Sequence, residues 1–279
     1  MHESDDQIAL DRANAIEIRV ENLRKSFGDK VVLDGINLQV DSGELLAIVG
    51  DSGGGKSTLL RHLTGHFQPD RGRVLMADHE SSGSPLVDLA TLDDSGMDRL
   101  ERHWGVVFQQ NGLIAGSSTY DNIALPLRVV QGLAEDVIRQ RVNDAVAAVG
   151  LDVNRDEELQ IDELSGGMAK RVAIARALAI DPILMLYDEP TTGLDPSRAY
   201  QIQDLIEAVH KRPAASGIVR TTVLITHDKE LLLRLQPRVV MLEAGRIVFD
   251  GLFENFESSN LPAIQPYIKS MPSLHSRLV

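Results

Sequence analysis

Along the chain, segments with the hydrophobic pattern of a strand alternate with segments whose pattern suits a helix. Residues 15–20 read AIEIRV, an alternation typical of a half-buried strand. Apolar runs at 44–49 (ELLAIV), 183–187 (ILMLY) and 222–225 (TVLI) are typical of fully buried strands. Polar segments that suit helix starts follow these runs, and 56–63 is the first predicted helix. This alternation predicts an α/β fold with a mostly parallel sheet, in which ligands bind at the carboxyl ends of the strands.

The middle of the chain has a different pattern. Between residues 113 and 178 helical periodicity dominates and no run is typical of a strand. Residues 134–149 and 166–178 are predicted helices within this segment. We therefore expect a helical subdomain inserted into the α/β core. Two polar stretches, 79–95 and 211–217, are predicted to be surface loops.

Composition excludes some classes of protein. The 279 residues carry 28 basic and 41 acidic side chains, and the net charge of −13 argues against a protein that coats nucleic acid. The absence of cysteine excludes disulfides and catalytic thiols. The acidic start, MHESDDQIALD, is not expected to be a secretory signal. No apolar run approaches the ~18 residues of a spanning helix. If the protein acts at a membrane, another chain must cross it.

A glycine-rich segment carries the clearest chemistry. Residues 50–57 read GDSGGGKS, which matches GxxxxGK[ST] between a predicted strand and a predicted helix. Glycines let the backbone curl so that its N–H groups face phosphate oxygens, and the following helix adds the positive end of its dipole. Lys56 is predicted to reach the β- and γ-phosphates of ATP, and the Ser57 hydroxyl to ligate Mg²⁺. An ordinary turn is the alternative, although the pattern arises by chance in roughly 1% of chains of this size. The candidate binding residues are Gly50, Asp51, Ser52, Gly53, Gly54, Gly55, Lys56, Ser57 and Thr58.

Two carboxylates follow a buried strand. The run ILMLYDE ends in Asp188 and Glu189, at the edge of the sheet where ligands are expected. Asp188 is predicted to hold Mg²⁺ directly or through water, and Glu189 to polarise an attacking water. A solvated strand end is the alternative. Together with the phosphate loop, the pair favours nucleotide hydrolysis.

From residue 16 to residue 251 the sequence resembles the nucleotide-binding domain of ABC transporters. Residues 164–168 read LSGGM, which is similar to the LSGGQ signature of that family. Ser165 is suited to be the N-cap of the following helix. The resemblance implies that Ser165, Gly166 and Gly167 contact the γ-phosphate of a nucleotide bound by the other subunit.

Further positions match the same family. Gln109 resembles the Q-loop glutamine, which senses Mg²⁺ and the attacking water, and His227 resembles the switch histidine, which contacts the γ-phosphate. Residues 193–196 (GLDP) resemble the D-loop, in which Asp195 faces the partner subunit. Phe27 lies where the family stacks an aromatic ring on adenine. The alternatives are an exposed glutamine, a structural histidine and a core aromatic ring.

The resemblance implies a P-loop NTPase (RecA-like) core with an antiparallel β subdomain and an inserted helical subdomain, of the ABC ATPase type. The ATPase domain is expected to span 15–251, with its core at 15–112 and 179–251 and the helical subdomain at about 113–178. The weakly patterned tail, 252–279, is a regulatory element, a dimer-stabilising element or a loose end.

One departure from the signature indicates a subgroup. Met168 replaces the usual glutamine, and a thioether cannot donate a hydrogen bond to the nucleotide. Residues 163–177 (ELSGGMAKRVAIARA) and 107–127 are similar to the ATPases of the Mla and Mce lipid-transport systems. Phospholipid or another hydrophobic molecule is therefore the expected cargo. The alternatives are a small-solute importer, a non-transport ABC ATPase of DNA repair or translation, and a P-loop kinase or GTPase.

The partners follow from the resemblance. It implies a homodimer that holds two ATP molecules, each between Lys56 of one subunit and Ser165 of the other. It also implies a membrane permease, a possible lipid-binding protein that captures the substrate, and no nucleic acid. Gln109 and residues 111–120 are expected to line the groove in which the permease docks. The expected location is the cytoplasmic face of the inner membrane.

Overall fold

A computed structural model describes residues 15–271. The expectation that the chain does not begin with a secretory signal, and the weak pattern of 272–279, lie outside the described residues. The strands are β1 (Ile16–Phe27), β2 (Lys30–Asp41), β3 (Leu45–Val49), β4 (Arg71–Ala77), β5 (Leu86–Asp88), β6 (Trp104–Val107), β7 (Leu184–Asp188), β8 (Thr221–Ile225), β9 (Arg238–Glu243) and β10 (Arg246–Leu252). The α-helices are α1 (Lys56–Leu63), α2 (Asp94–Glu101), α3 (Thr119–Val129), α4 (Glu135–Ala148), α5 (Val153–Asp156), α6 (Gly166–Ala179), α7 (Pro196–Lys211), α8 (Lys229–Leu235), α9 (Phe253–Glu257) and α10 (Ile264–Ser270).

The described chain forms two compact units. The first unit contains the described residues up to Leu100 and those from Thr221 onward, and the second is Glu101–Arg220. The predicted division, with a helical subdomain at about 113–178, stays a prediction.

The first unit contains an antiparallel sheet with the strand order β2-β1-β4-β5. Ile18 and Val20 of β1 are buried and alternate with the more exposed Arg19, because successive side chains of a strand point to opposite faces. This sheet matches the antiparallel β subdomain that the family resemblance implies.

The same unit contains a second, mostly parallel group of strands. β3 lies between β8 and β9 and is parallel to both, and β10 pairs with β9 in the antiparallel sense. Residues 46–49 of β3 are fully buried, which explains a continuous apolar run rather than an alternating one. The strands predicted at 44–49 and 222–225 and the helix predicted at 56–63 are confirmed.

The second unit is mainly helical. Its strands β6 and β7 form a parallel pair, and β7 confirms the strand predicted at 183–187. The helices predicted at 134–149 and 166–178 are confirmed as α4 and α6. Between residues 113 and 178, all of them described, there is no strand; the β-type pairing there is one isolated bridge from Ser118 to Gln160.

The prediction that 79–95 is a surface loop was wrong in part. β5 pairs with β4, a 3-10 helix spans Leu89–Thr91, and α2 begins at Asp94. The His79 ring nitrogen Nε2 lies 2.9 Å from Oε1 of the buried Glu17. A three-residue strand has too few positions to show a period of two, so its pairing was invisible in the sequence. The stretch at 212–217 is a mostly exposed loop, as predicted, and it begins where α7 ends at Lys211.

The tail after residue 251 is ordered into helices as far as it is described. α9 buries Phe253 and Phe256, and α10 buries Ile264 and Tyr267. The Phe256 ring packs edge-on against Phe249 of β10, with 5.3 Å between ring centroids. A loose end is therefore the wrong alternative for 252–271. No helix within residues 15–271 is both long enough and apolar enough to cross a membrane.

Candidate nucleotide site

The phosphate loop connects β3 to α1 and lies close to two other strands. Gly50 has φ +135°, and a Cβ atom there would overlap the carbonyl oxygen of Leu242 in β9. Gly55 has φ +102°, and a Cβ atom there would lie 2.9 Å from the carbonyl oxygen of Val32 in β2. Only glycine combines these dihedral angles with these close approaches.

The ammonium group of Lys56 is held in place at the start of α1 by backbone carbonyl oxygens of the loop. Lys56 Nζ donates to the carbonyl oxygens of Gly50 (2.6 Å) and Asp51 (2.9 Å). No acidic residue occupies the first turn of α1, so its unpaired N–H groups and positive dipole end are not neutralised locally. A cavity of about 180 Å³ adjoins the loop and is lined by Lys30, Val32, Gly53, Gly55, Lys56, Ser57 and Thr58. This arrangement is suited to bind an anion.

Phe27 lies at the end of β1 in the same unit. Its side chain is 46% exposed, so the core-aromatic alternative is wrong. The ring meets Phe67 edge-on at 5.5 Å, and Lys25 Nζ lies 5.6 Å from its centroid. The exposed surface of the ring can accept a stacking partner. That this partner is adenine stays a prediction.

His227 follows β8 closely. The strand ends at Ile225, and the next helix, α8, starts at Lys229 with Asp228 as its N-cap. The Asp228 N–H donates to Thr226 Oγ1 at 3.0 Å, which fixes the backbone on both sides of the half-buried histidine. Its role as a switch stays a prediction.

The carboxylate pair lies in the second unit, at the end of β7. Asp188 is the last residue of the strand. Glu189 is 9% exposed, has φ +48°, and accepts a hydrogen bond from Thr192 Oγ1 at 3.2 Å. A left-handed backbone at a residue other than glycine costs about 1–2 kcal/mol. Such strain occurs where the surroundings hold a functional side chain in place.

Two helices of this unit begin at predicted site residues. Ser165 caps α6 and accepts from the N–H of Met168 at 3.3 Å, and Asp195 caps α7 and accepts from the N–H of Arg198 at 3.1 Å. A Cβ atom at Gly167 would lie 3.1 Å from Cδ of Arg198, so the two helix starts are close together. The first turn of α6 contains no acidic residue, and its positive end favours an anion.

Gln109 lies in an exposed turn after β6. Its backbone carbonyl oxygen accepts a hydrogen bond from Nζ of Lys170 at 3.0 Å. Lys170 is 2% exposed, and burial lowers its pKa to about 8 although the Asp188 carboxylate opposes the shift. A buried ammonium therefore fixes the backbone of the predicted glutamine.

A second cation of α6 holds the same turn. Arg176 donates to the carbonyl oxygens of Asn111 (2.9 Å) and Gly112 (2.7 Å). Neither Lys170 nor Arg176 was predicted from the sequence to support the site. The available signal was their position in α6, in which residues 172–175 and 177–179 are all apolar.

The predicted site residues are divided between the two units. The first unit contains Phe27, Gly50–Thr58 and His227, and the second contains Gln109, Ser165–Gly167, Asp188, Glu189 and Asp195. The donors predicted for Mg²⁺ are the Ser57 hydroxyl, the Asp188 carboxylate and the Gln109 amide oxygen. Oxygen donors of this kind fit Mg²⁺, which takes its other ligands from phosphates and water. Within residues 15–271 no group of three or more His, Cys, Asp or Glu side chains is arranged to hold a metal ion.

Comparisons with known proteins identify the family of the chain. Residues 33–192 match the family described as ABC transporter. The chain is 35% identical over 249 residues to the intermembrane phospholipid transport ATP-binding protein MlaF of Haemophilus influenzae, covering 89% of each protein. It is 36% identical over 249 residues to the methionine import ATP-binding protein MetN of Rhodopseudomonas palustris, of which it spans 63%.

Solved structures show the same fold. A dimeric ATP-binding cassette in a post-hydrolysis state bound to ADP and Pi superimposes with a TM-score of 0.72 at 29% identity, covering 85% of this chain and 98% of the cassette. The cbiO1 protein of Clostridium perfringens, part of an ABC transporter complex, gives a TM-score of 0.73 at 30% identity, covering 88% of this chain and 92% of that protein. The P-loop NTPase fold of the ABC ATPase type is therefore confirmed. This chain belongs to the ABC transporter family, as an ATP-binding subunit of the ABC ATPase type.

Proposed function

We propose that two copies of this chain clamp two MgATP molecules and that hydrolysis drives a separate membrane permease. The observation that carries this proposal is the phosphate loop, in which Gly50 and Gly55 allow a backbone conformation closed to other residues and Lys56 is held at the start of α1. The similarity to a dimeric cassette bound to ADP and Pi supports it. The protein then works at the cytoplasmic face of the membrane through its permease.

The predicted residues divide the steps of this mechanism among them, and Gln109 contacts both Mg²⁺ and the attacking water. Lys56 binds the β- and γ-phosphates, and Phe27 stacks on adenine. Ser57, Asp188 and Gln109 would hold Mg²⁺, which would neutralise charge at the phosphates. Glu189 accepts a proton from the attacking water.

The remaining residues contact the γ-phosphate or the second copy. His227 contacts the γ-phosphate within its own subunit. Ser165, Gly166 and Gly167 present the positive end of α6 to the γ-phosphate held by the partner, with Asp195 nearby. Loss of the γ-phosphate removes these contacts and opens the dimer.

The substitution Glu189→Gln tests this mechanism. The variant keeps the shape of the side chain but cannot take a proton, so it is expected to bind ATP, dimerise and hydrolyse almost nothing. Dimerisation is measured by size-exclusion chromatography in the presence of ATP, and hydrolysis is measured by the release of phosphate. The control is Glu158→Gln, a substitution at an exposed position of the same unit. Near-normal turnover by Glu189→Gln would remove that residue from its assigned role. Lys56→Ala is expected to bind ATP poorly, and unchanged affinity would count against the loop assignment.

We further propose that the cargo is phospholipid or another hydrophobic molecule. Support comes from Met168 in the signature and from the similarity to a phospholipid transport protein over 89% of both chains. A lipid-binding protein that captures the substrate then belongs to the same system. The second candidate is a small-solute importer, which the 36% identity to a methionine import protein favours.

Reconstitution distinguishes the two cargoes. The chain and the permease that co-purifies with it are placed in vesicles, with the Glu189→Gln chain as the inactive control. ATP-dependent movement of a fluorescent phospholipid is the expected result. ATP-dependent movement of methionine without movement of lipid would favour the second candidate.

A further inference from the structure

The loop that carries Gln109, defined as Phe108–Gly112 and called the 108–112 loop, is bound by two cations of α6. Four of its five carbonyl oxygens accept hydrogen bonds from charged side chains. These bonds are Lys170 Nζ to Phe108 O at 3.5 Å, Lys170 Nζ to Gln109 O at 3.0 Å, Arg176 Nη2 to Asn111 O at 2.9 Å, and Arg176 Nη1 to Gly112 O at 2.7 Å. Bonds from charged donors are roughly twice as strong as those between neutral groups.

The loop contains two residues with a left-handed backbone. Asn111 and Gly112 have φ +62° and +61°, a conformation that Asn and Gly adopt more readily than other residues. Among the described residues, no hydrogen-bond donor reaches the buried Oδ1 of Asn111. A buried acceptor without a donor is unfavourable, so the side chain of Asn111 does not help to hold the loop in place. The bonds from Lys170 and Arg176 to the backbone carbonyl oxygens of the loop therefore contribute strongly to its conformation.

Lys170 depends on the loop in turn. It is 2% exposed, and a buried ammonium is unfavourable unless hydrogen bonds replace its lost hydration. Within residues 15–271 its hydrogen-bond acceptors are the carbonyl oxygens of Phe108 and Gln109. The attachment of the loop to the helix is thus mutual, because breaking it leaves an unsatisfied charge on Lys170 and carbonyl oxygens of the loop without their donor.

We propose that Lys170 and Arg176 are positioning residues that make the 108–112 loop and α6 move as one body. α6 begins at its N-cap Ser165, which is about 7.5 Å along the helix axis from Lys170 at 1.5 Å per residue. Gln109 and Ser165 are then attached to the same rigid helix. The inference rests on the proposed function: a change at Gln109 on one nucleotide reaches Ser165, which acts on the nucleotide of the partner.

The experiment compares Lys170→Met and Lys170→Arg with the control Lys211→Met, a lysine that is 71% exposed on α7 of the same unit. Lys170→Met is expected to lower kcat at least tenfold while the Kd for ATP changes less than threefold, because the phosphate loop is untouched. Lys170→Arg restores the charged donor and is expected to return kcat to within threefold of the wild type. Lys211→Met is expected to change neither quantity.

Hydrogen exchange in the ATP-free protein gives a readout that does not depend on hydrolysis. Amides of the 108–112 loop are expected to exchange at least tenfold faster in Lys170→Met and in Arg176→Met. If Lys170→Met does not fold, Arg176→Lys, which keeps the charge but not the two-pronged contact, is expected to show the same acceleration. Unchanged exchange, or a kcat within twofold of the wild type in folded Lys170→Met, would overturn the inference. If the wild-type chain hydrolyses no ATP, the proposed function is refuted. Hydrogen exchange would still show whether Lys170 and Arg176 attach the 108–112 loop to α6.

Discussion

Because the side chain of Arg220 is buried, we expect that its removal strongly lowers the free energy of unfolding. Its side chain is 4% exposed and lies 2.5 Å from Oδ1 of Asp181. Its Nε donates to the carbonyl oxygen of the buried Pro182 at 2.9 Å, and its Nη1 donates to the carbonyl oxygens of Arg212 and Pro213. Arg220→Met leaves these acceptors without their donor.

The magnitude follows from which acceptors water can reach. Breaking a buried ion pair by removing one partner costs about 3–5 kcal/mol. The Asp181 side chain is 30% exposed, and the loop carbonyls of Arg212 and Pro213 can be rehydrated, so we expect the lower end, about 3 kcal/mol. At roughly 2–4 °C for each kcal/mol in a chain of this size, Tm is expected to fall by about 6–12 °C.

The assay uses the single tryptophan of the chain. Trp104 is buried in β6 of the second unit, the unit that contains Arg220, so its fluorescence during urea unfolding reports on the affected part, while circular dichroism reports on the whole chain. Arg73→Met is the matched control, since Arg73 pairs with Glu21 at 2.7 Å but the two side chains are 53% and 33% exposed. That exposed pair contributes under about 1 kcal/mol. Equal destabilisation by the two substitutions would refute the reasoning that burial sets the cost.

Three further predictions concern single side chains. Gly50→Ala is expected to abolish ATP binding in a titration because its methyl group overlaps the Leu242 carbonyl oxygen, whereas Gly53→Ala meets no atom within 4 Å and is expected to lose only about 1–2 kcal/mol of stability through its φ of +80°. Ser165→Ala is expected to lose about 1 kcal/mol with the α6 cap and to retain ATP affinity while its hydrolysis rate falls; an unchanged rate would contradict its role. Tyr187→Phe removes a buried hydroxyl that has no hydrogen-bond partner among the described residues. The free energy of unfolding of the variant is expected to equal that of the wild type or to exceed it by up to about 1 kcal/mol. A decrease of more than about 1 kcal/mol in urea unfolding would show that the hydroxyl has a hydrogen-bond partner.

The local elements of this protein could be predicted from the sequence. Helix α1 begins and ends as expected because the loop before it is defined by glycines and its apolar positions follow the helical period. The strand at 183–187 was recognised because a strand buried on both faces is apolar without interruption. The phosphate loop and the carboxylate pair could be predicted from the sequence because each motif is contiguous and its chemistry is carried by neighbouring residues; the roles of their residues stay predictions.

Contacts between distant segments were decided only by the tertiary structure. Lys170 and Gln109 are 61 positions apart, and no periodicity indicates which carbonyl oxygen a buried lysine will meet. The sequence indicates that Gly50 belongs to a glycine-rich loop, but the close approach of Leu242 in β9 is what excludes every other residue there. Strand β5 forms only because β4 offers it a partner, since three residues carry no preference strong enough to make a strand alone. Local preference and contiguous motifs are properties of the chain itself, whereas partners across the sequence are selected by packing, which sums interactions that no short segment contains.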